Sequence, residues 1–97
     1  MNLEFTLRFE KDFFHILQAL ENIFMAKKWE KDFKEDLKCL ADSPYQFKQN
    51  AFFKHPRVRD CYFKEYIIPY KIDKRNERLL IMGIFKNPYL ITFKEKK

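Results

Sequence analysis

From Arg57 to Lys86 the chain reads RVRDCYFKEYIIPYKIDKRNERLLIMGIFK: three short runs of β-branched and aromatic residues, separated by connections too short to hold a helix. Runs joined so tightly lie antiparallel and adjacent, because a parallel crossover needs about a dozen residues or more. The segment therefore predicts a three-stranded meander, Arg57 to Phe63, Tyr66 to Asp73 and Arg78 to Lys86. The third run is apolar on both faces, with Leu79, Ile81 and Phe85 against Leu80, Met82 and Ile84, the pattern of a central strand covered by helices. Pro69 cannot donate to a ladder and predicts a bulge or an unpaired position. In the connection DKRNE, Asn76 is the residue that tolerates a left-handed backbone; in the first connection Glu65 does so less readily than glycine would.

Ahead of this segment the apolar period changes twice. Leu3, Phe5, Leu7 and Phe9 alternate with polar residues, predicting a first strand with one buried face. From Lys11 onward Phe13, Ile16, Leu17, Leu20, Ile23 and Phe24 recur at helical steps. A second helix follows, with Trp29, Phe33, Leu37 and Leu40 on its apolar stripe and Lys28, Lys31, Lys34, Glu35 and Lys38 outside. FEKDF and WEKDF open the two helices alike, which reads as convergent amphipathic patterning because nothing downstream repeats it. Ser43 and Pro44 stop the second helix, and the loop YQFKQNAFFKHP, rich in aromatics and lysines, is a candidate functional loop. The expected fold is α+β: an N-terminal strand, a helical hairpin, then a three-stranded antiparallel meander, in a single domain over residues 1–97.

The charge is lopsided. Residues 1–43 carry a formal −2 and residues 44–97 a formal +8, so a partner with acidic character, nucleic acid or protein, is favoured by the second half. No apolar run reaches the roughly 18 residues of a bilayer span, and the N-terminus lacks the basic-then-apolar pattern of a signal peptide; the expectation is a cytoplasmic protein with no membrane partner. Cys39 and Cys61 have no second ligand at metal spacing, so they are expected to be reduced structural thiols, with no metal and no cofactor.

The order of elements, with PYQFKQN leaving the second helix, VRDCYFKEYIIPYKID across the first two strands of the meander and LLIMGIFK in the last, resembles the ParE branch of the RelE/ParE toxins of bacterial type II toxin–antitoxin systems. The resemblance spans nearly the whole chain. It implies a growth-inhibiting toxin with a cognate antitoxin. RelE-like members are ribosome-dependent mRNA endonucleases in which basic side chains neutralise the scissile phosphate, whereas ParE-like members inhibit DNA gyrase. The nuclease branch commonly has an arginine after the first tyrosine of the YIIPY strand and a basic or histidine group at the end of the last strand. Here Ile67 occupies the first position and FKNPY the second, where only Lys86 and Tyr89 offer a partial match.

Candidate residues follow from both lines of reasoning. Arg57 and Arg59, two apart on one strand, project from one face and can grip a phosphate or an acidic protein; the alternative is that they are solvated or paired with Asp60 or Glu65. With Lys64 and Lys86 they form the candidate target-binding set. A nuclease would draw on Lys48, Arg57, Arg59, Lys64, Lys86 and Tyr89, with His55 able to act as acid or base near neutral pH. Lys48 and Lys54, among Phe47, Phe52 and Phe53, fit either a base-stacking patch or a packed core. His15 lies beside the first helix's apolar stripe and reads as structural. Three functions stay open: a toxin that binds a target such as gyrase, a ribosome-dependent mRNA endonuclease, and a basic nucleic-acid-binding module.

Overall fold

The computed structural model describes residues 1–47 and 57–87. Within them the order is β1 (Asn2–Phe5), α1 (Leu7–Ala19), α2 (Ile23–Asp42), β2 (Val58–Phe63), β3 (Tyr66–Asp73), β4 (Arg78–Ile81) and β5 (Phe85–Lys86). Strand, helical hairpin and antiparallel meander occur in the order the sequence predicts. The sheet runs β1-β4-β3-β2, and β5 continues along β3 beyond the end of β4. β1 pairs parallel to β4, from Asn2 opposite Arg78 to Phe5 opposite Ile81, since the intervening hairpin supplies the crossover that parallel pairing needs.

The first strand stops at Phe5, short of the predicted alternation, because Thr6 caps a helix. Its backbone is extended (φ −79°, ψ 162°) and its hydroxyl accepts from the Phe9 amide at 3.1 Å. Phe9 therefore enters the core from α1, while Leu7 is exposed. Asn22 caps α2 in the same manner, accepting from the Phe24 amide at 2.7 Å. Ile23 and Phe24 thus belong to the first turn of α2 and are exposed, instead of extending the stripe of α1.

The core forms where α2 lies on the sheet. Trp29, Phe33, Leu37 and Leu40 are all buried, as their spacing predicts, and the lysines between them are exposed. The Trp29 and Phe33 rings stand 5.1 Å apart, and Phe63 meets them at 5.3 and 5.1 Å. Phe9 and Phe13 from α1 complete the cluster at 5.9 and 5.7 Å from Phe33. Such ring pairs each add about 0.5–1.5 kcal/mol beyond the area they bury.

Pro69 shapes the sheet. Tyr70 faces Ile81 and Ile67 faces Phe85, so Ile68 and Pro69 stand against Met82, Gly83 and Ile84, one residue more. The expected bulge is therefore present, on the strand facing Pro69, and it divides the predicted third run into β4 and β5. On its other side Pro69 keeps register, opposite Asp60. The Met82 amide donates to the Pro69 carbonyl at 2.9 Å; proline has no N–H to return, and the Met82 carbonyl accepts instead from the Thr6 hydroxyl at 2.9 Å. The next stretch is fixed from α1, where the Asp12 carboxylate accepts from the Ile84 amide at 3.0 Å.

The left-handed residue of the first turn is Lys64 (φ 51°), which spares Glu65 the conformation it adopts less readily than glycine; in the second turn it is Glu77 (φ 50°), not the expected Asn76. Asn76 is used otherwise, its side-chain amide donating to Asp73 at 2.9 Å and its backbone amide to the same carboxylate at 3.2 Å.

Candidate functional site

Strand register decides which face each cation occupies. Tyr66, Ile68, Tyr70 and Ile72 of β3 belong to the side packed on the helices, and opposite them on β2 stand Phe63, Cys61 and Arg59. The Ile72 amide donates to the Arg57 carbonyl at 3.1 Å, which continues the pairing by one step. Arg57 and Arg59 do share a face, and it is the helix-side face, at the end of the sheet where α2 stops.

That end is closed by the segment leaving α2. The Tyr70 hydroxyl donates to the Pro44 carbonyl at 2.5 Å, and the Arg59 guanidinium donates to the Phe47 carbonyl and lies 5.1 Å from the centre of the Tyr45 ring. Burial pushes the Tyr70 hydroxyl above the ordinary tyrosine range, so it stays protonated and able to donate. Arg59 is therefore not simply solvated; it ties Phe47 to β2.

Beside this tie lies a pocket of about 610 Å³, lined by Tyr45, Arg57, Arg59, Ile72, Asp73, Lys74 and Arg75. Among the described residues that line it, Asp73 is the single carboxylate. Hydrogen bonds from Asn76 and then from Arg78, which donates at 2.8 Å, hold the Asp73 carboxyl down at about 2. Its charge is thereby shared with Arg78, and the pocket is cationic. A smaller pocket of about 160 Å³ shares Arg57, Ile72 and Asp73 and adds Lys71 and Arg78, so positive charge continues around the sheet end. Lys74 and Arg75 were legible in the sequence only as a turn; the adjacency of Arg57 and Ile72 is what brings them to the site.

The remaining candidates lie elsewhere. Lys86 faces Tyr66, and Lys64 sits in the turn beside it, at the opposite end of β3 from Arg59, which faces Tyr70. At about 3.3 Å per residue the two groups stand about 13 Å apart along the strand. Lys64 lies 3.6 Å from Asp32 and over the Phe63 ring, while Lys86 shares a shallow pocket of about 360 Å³ with Asp12, His15 and Tyr66. The four predicted target-binding cations are two groups, not one surface. His15 is exposed instead of structural. Both cysteines are free, Cys61 buried but Cys39 exposed, contrary to the expectation of two packed thiols. Lys48, Lys54, His55 and Tyr89 lie outside the described residues.

The other face of the sheet carries Ile67, with Tyr62 opposite it and Asp60 opposite Pro69. Ile67 is 3 % exposed, Val58 3 % and Asp60 5 %. The position at which the nuclease resemblance asks for an arginine thus holds a buried isoleucine, on the same face as a buried carboxylate.

The profile of the ParE toxin of type II toxin–antitoxin systems, parDE, matches residues 3–87. The chain belongs to the ParE toxin family. No curated protein matches it in sequence. Among solved structures, the ParE fold seen here is similar to a chain of the chromosomal ParDE toxin–antitoxin system from P. aeruginosa, at 21 % identity and TM-score 0.70, covering 89 % of this chain and 95 % of that one. A chain of the intact E. coli RelBE toxin–antitoxin complex is similar at 16 % identity and TM-score 0.63, covering 89 % and 95 %. The isolated E. coli RelE toxin is similar at 16 % identity and TM-score 0.62, covering 99 % and 98 %. These likenesses establish the fold shared by the two branches. No helix among the described residues of this ParE family member is long and apolar enough to cross a membrane.

Proposed function

We propose that this chain is a growth-inhibiting toxin that acts by binding its target and not by cutting RNA, with DNA gyrase as the target that the ParE resemblance implies. The observation that carries this reading is the face holding Ile67. Attack by a ribose 2′-hydroxyl builds negative charge on the scissile phosphate and needs preorganised cations to stabilise it. Ile67 offers none, and Asp60, buried on the same face, is acidic and already has a partner of its own. The cations at the other side of the sheet, Arg57 and Arg59 with Lys74 and Arg75, gather where the one carboxylate among the described lining residues, Asp73, is already engaged by Asn76 and Arg78, and they suit a binding surface. Purified chain is expected to bind gyrase and inhibit supercoiling; unchanged supercoiling together with no binding would remove gyrase as the target.

A cognate antitoxin is the second partner we propose. The hairpin leaves Phe14, Ile23, Phe24 and Met25 between 57 % and 78 % exposed, an unusual amount of large apolar surface for so small a domain. An antitoxin segment that covers it would stabilise the pair and silence the toxin. Co-expression with the adjacent small open reading frame is expected to restore growth, and the lack of rescue by any neighbouring gene would count against a two-gene module.

A further inference from the structure

We propose that the pocket at the sheet end holds a nucleoside phosphate, with the base against Tyr45 and the phosphate among Arg57, Lys74 and Arg75. The proposal rests on the reading of this end as a contact surface and specifies its chemistry. Three features select the ligand. The first is size. About 610 Å³ lies within the range of roughly 300–1,000 Å³ typical of small-molecule sites and exceeds what a bare anion fills.

The second feature is the charge and where it comes from. Arg57 precedes β2, whereas Lys74 and Arg75 lie in the β3–β4 turn, so separate chain segments converge on one space. Lys74 and Arg75 are exposed and form no ion pair among the described residues. Asp73 offsets only one of the four cations among the described residues that line the pocket, and its oxygens are already engaged: Oδ1 accepts from the Asn76 amide at 3.2 Å, and Oδ2 from the Asn76 side chain at 2.9 Å and Arg78 at 2.8 Å. A phosphate, with its several acceptor oxygens, satisfies such a group of donors.

The third feature is aromatic. Tyr45 is 53 % exposed and lines the pocket, and the Arg59 guanidinium stands 5.1 Å from its ring centre, itself fixed by the Phe47 carbonyl. A ring held in this way is a preorganised platform, and stacking a base on such a ring is worth about 1–3 kcal/mol by alanine substitution. An acidic side chain from a protein would use the cations but leave Tyr45 and most of the volume unfilled, which is why a nucleotide is favoured. The same phosphate-and-base unit can arrive as a free nucleotide or within a single strand.

Calorimetric titration of the purified chain with AMP, inorganic phosphate and adenosine tests the proposal. AMP is expected to bind more tightly than either part, and the double variant Lys74→Ala/Arg75→Ala to weaken it by about tenfold or more, each lost charge-assisted bond contributing. Tyr45→Ala should weaken AMP and leave phosphate unchanged, whereas Tyr45→Phe should retain AMP binding. Short oligoadenylates that bind progressively tighter with length identify a strand as the source; affinity equal to that of AMP identifies the free nucleotide. AMP no tighter than phosphate, or AMP indifferent to the double variant, overturns the proposal. Supercoiling inhibition measured on the same variants separates the two readings: AMP binding lost with inhibition intact leaves gyrase standing as target, and AMP binding without any inhibition leaves the pocket standing alone.

Discussion

The Thr6 hydroxyl donates to the Met82 carbonyl at 2.9 Å while accepting from the Phe9 amide at 3.1 Å, so one side chain starts α1 and completes the ladder that Pro69 leaves open. Thr6→Val keeps the shape and removes both bonds. Loss of an N-cap costs about 0.5–2 kcal/mol and a stranded carbonyl about 1–3 kcal/mol, so a total of about 1.5–5 kcal/mol is expected. Thr6→Ser should recover most of it. Urea unfolding midpoints of the three proteins measure the difference, and equal midpoints for Thr6 and Thr6→Val would show that the bridge contributes nothing.

Tyr70→Phe removes the hydroxyl that holds the Pro44 carbonyl. The ring stays buried, so the cost is that of one hydrogen bond, about 1 kcal/mol, with a further penalty if the carbonyl is left dry. Amide hydrogen exchange should quicken at Tyr45, Gln46 and Phe47 before it changes in α2. Uniform acceleration throughout the chain would mean that Tyr70 supports the core and not the segment over the pocket.

Acid and alkali should weaken the fold through different groups. The Asp73 carboxyl lies at about 2, below the ordinary 3.8, held there by Asn76 and Arg78. The unfolded chain therefore binds that proton more readily, and the stabilisation present above the ordinary value is lost as pH falls from about 3.8 through about 2. Cys61 moves the other way, pushed up from 9.0 to about 12 by burial and secondarily by Asp36. Its contribution is full below pH 9.0 and is lost as pH rises toward 12, with Tyr70 acting in the same direction. Unfolding midpoints of Asp73→Asn should show a flatter acid limb and an unchanged alkaline one; Cys61→Ala should flatten only the alkaline limb.

The stripe of Trp29, Phe33, Leu37 and Leu40 was legible because helical spacing and burial there have the same cause. Leu7 and Phe9 misled because their positions suit both a strand's alternation and a helix's first turn, and the Thr6 cap decides between them. The face occupied by Arg57 and Arg59 could not be read at all: alternation fixes which residues share a face, not which face meets the helices. Lys74 and Arg75 carry no pattern of their own. They join the pocket only because the meander's register sets Arg57 beside Ile72 and Asp73.

The central claim is that this toxin binds and does not cut, and the face with Ile67 and Asp60 is its physical basis. Mapping mRNA 5′ ends in cells arrested by expression of the chain without its antitoxin tests it most directly. Growth arrest with no new 5′ ends inside translated codons is the predicted result; arrest accompanied by new ends there would contradict the account.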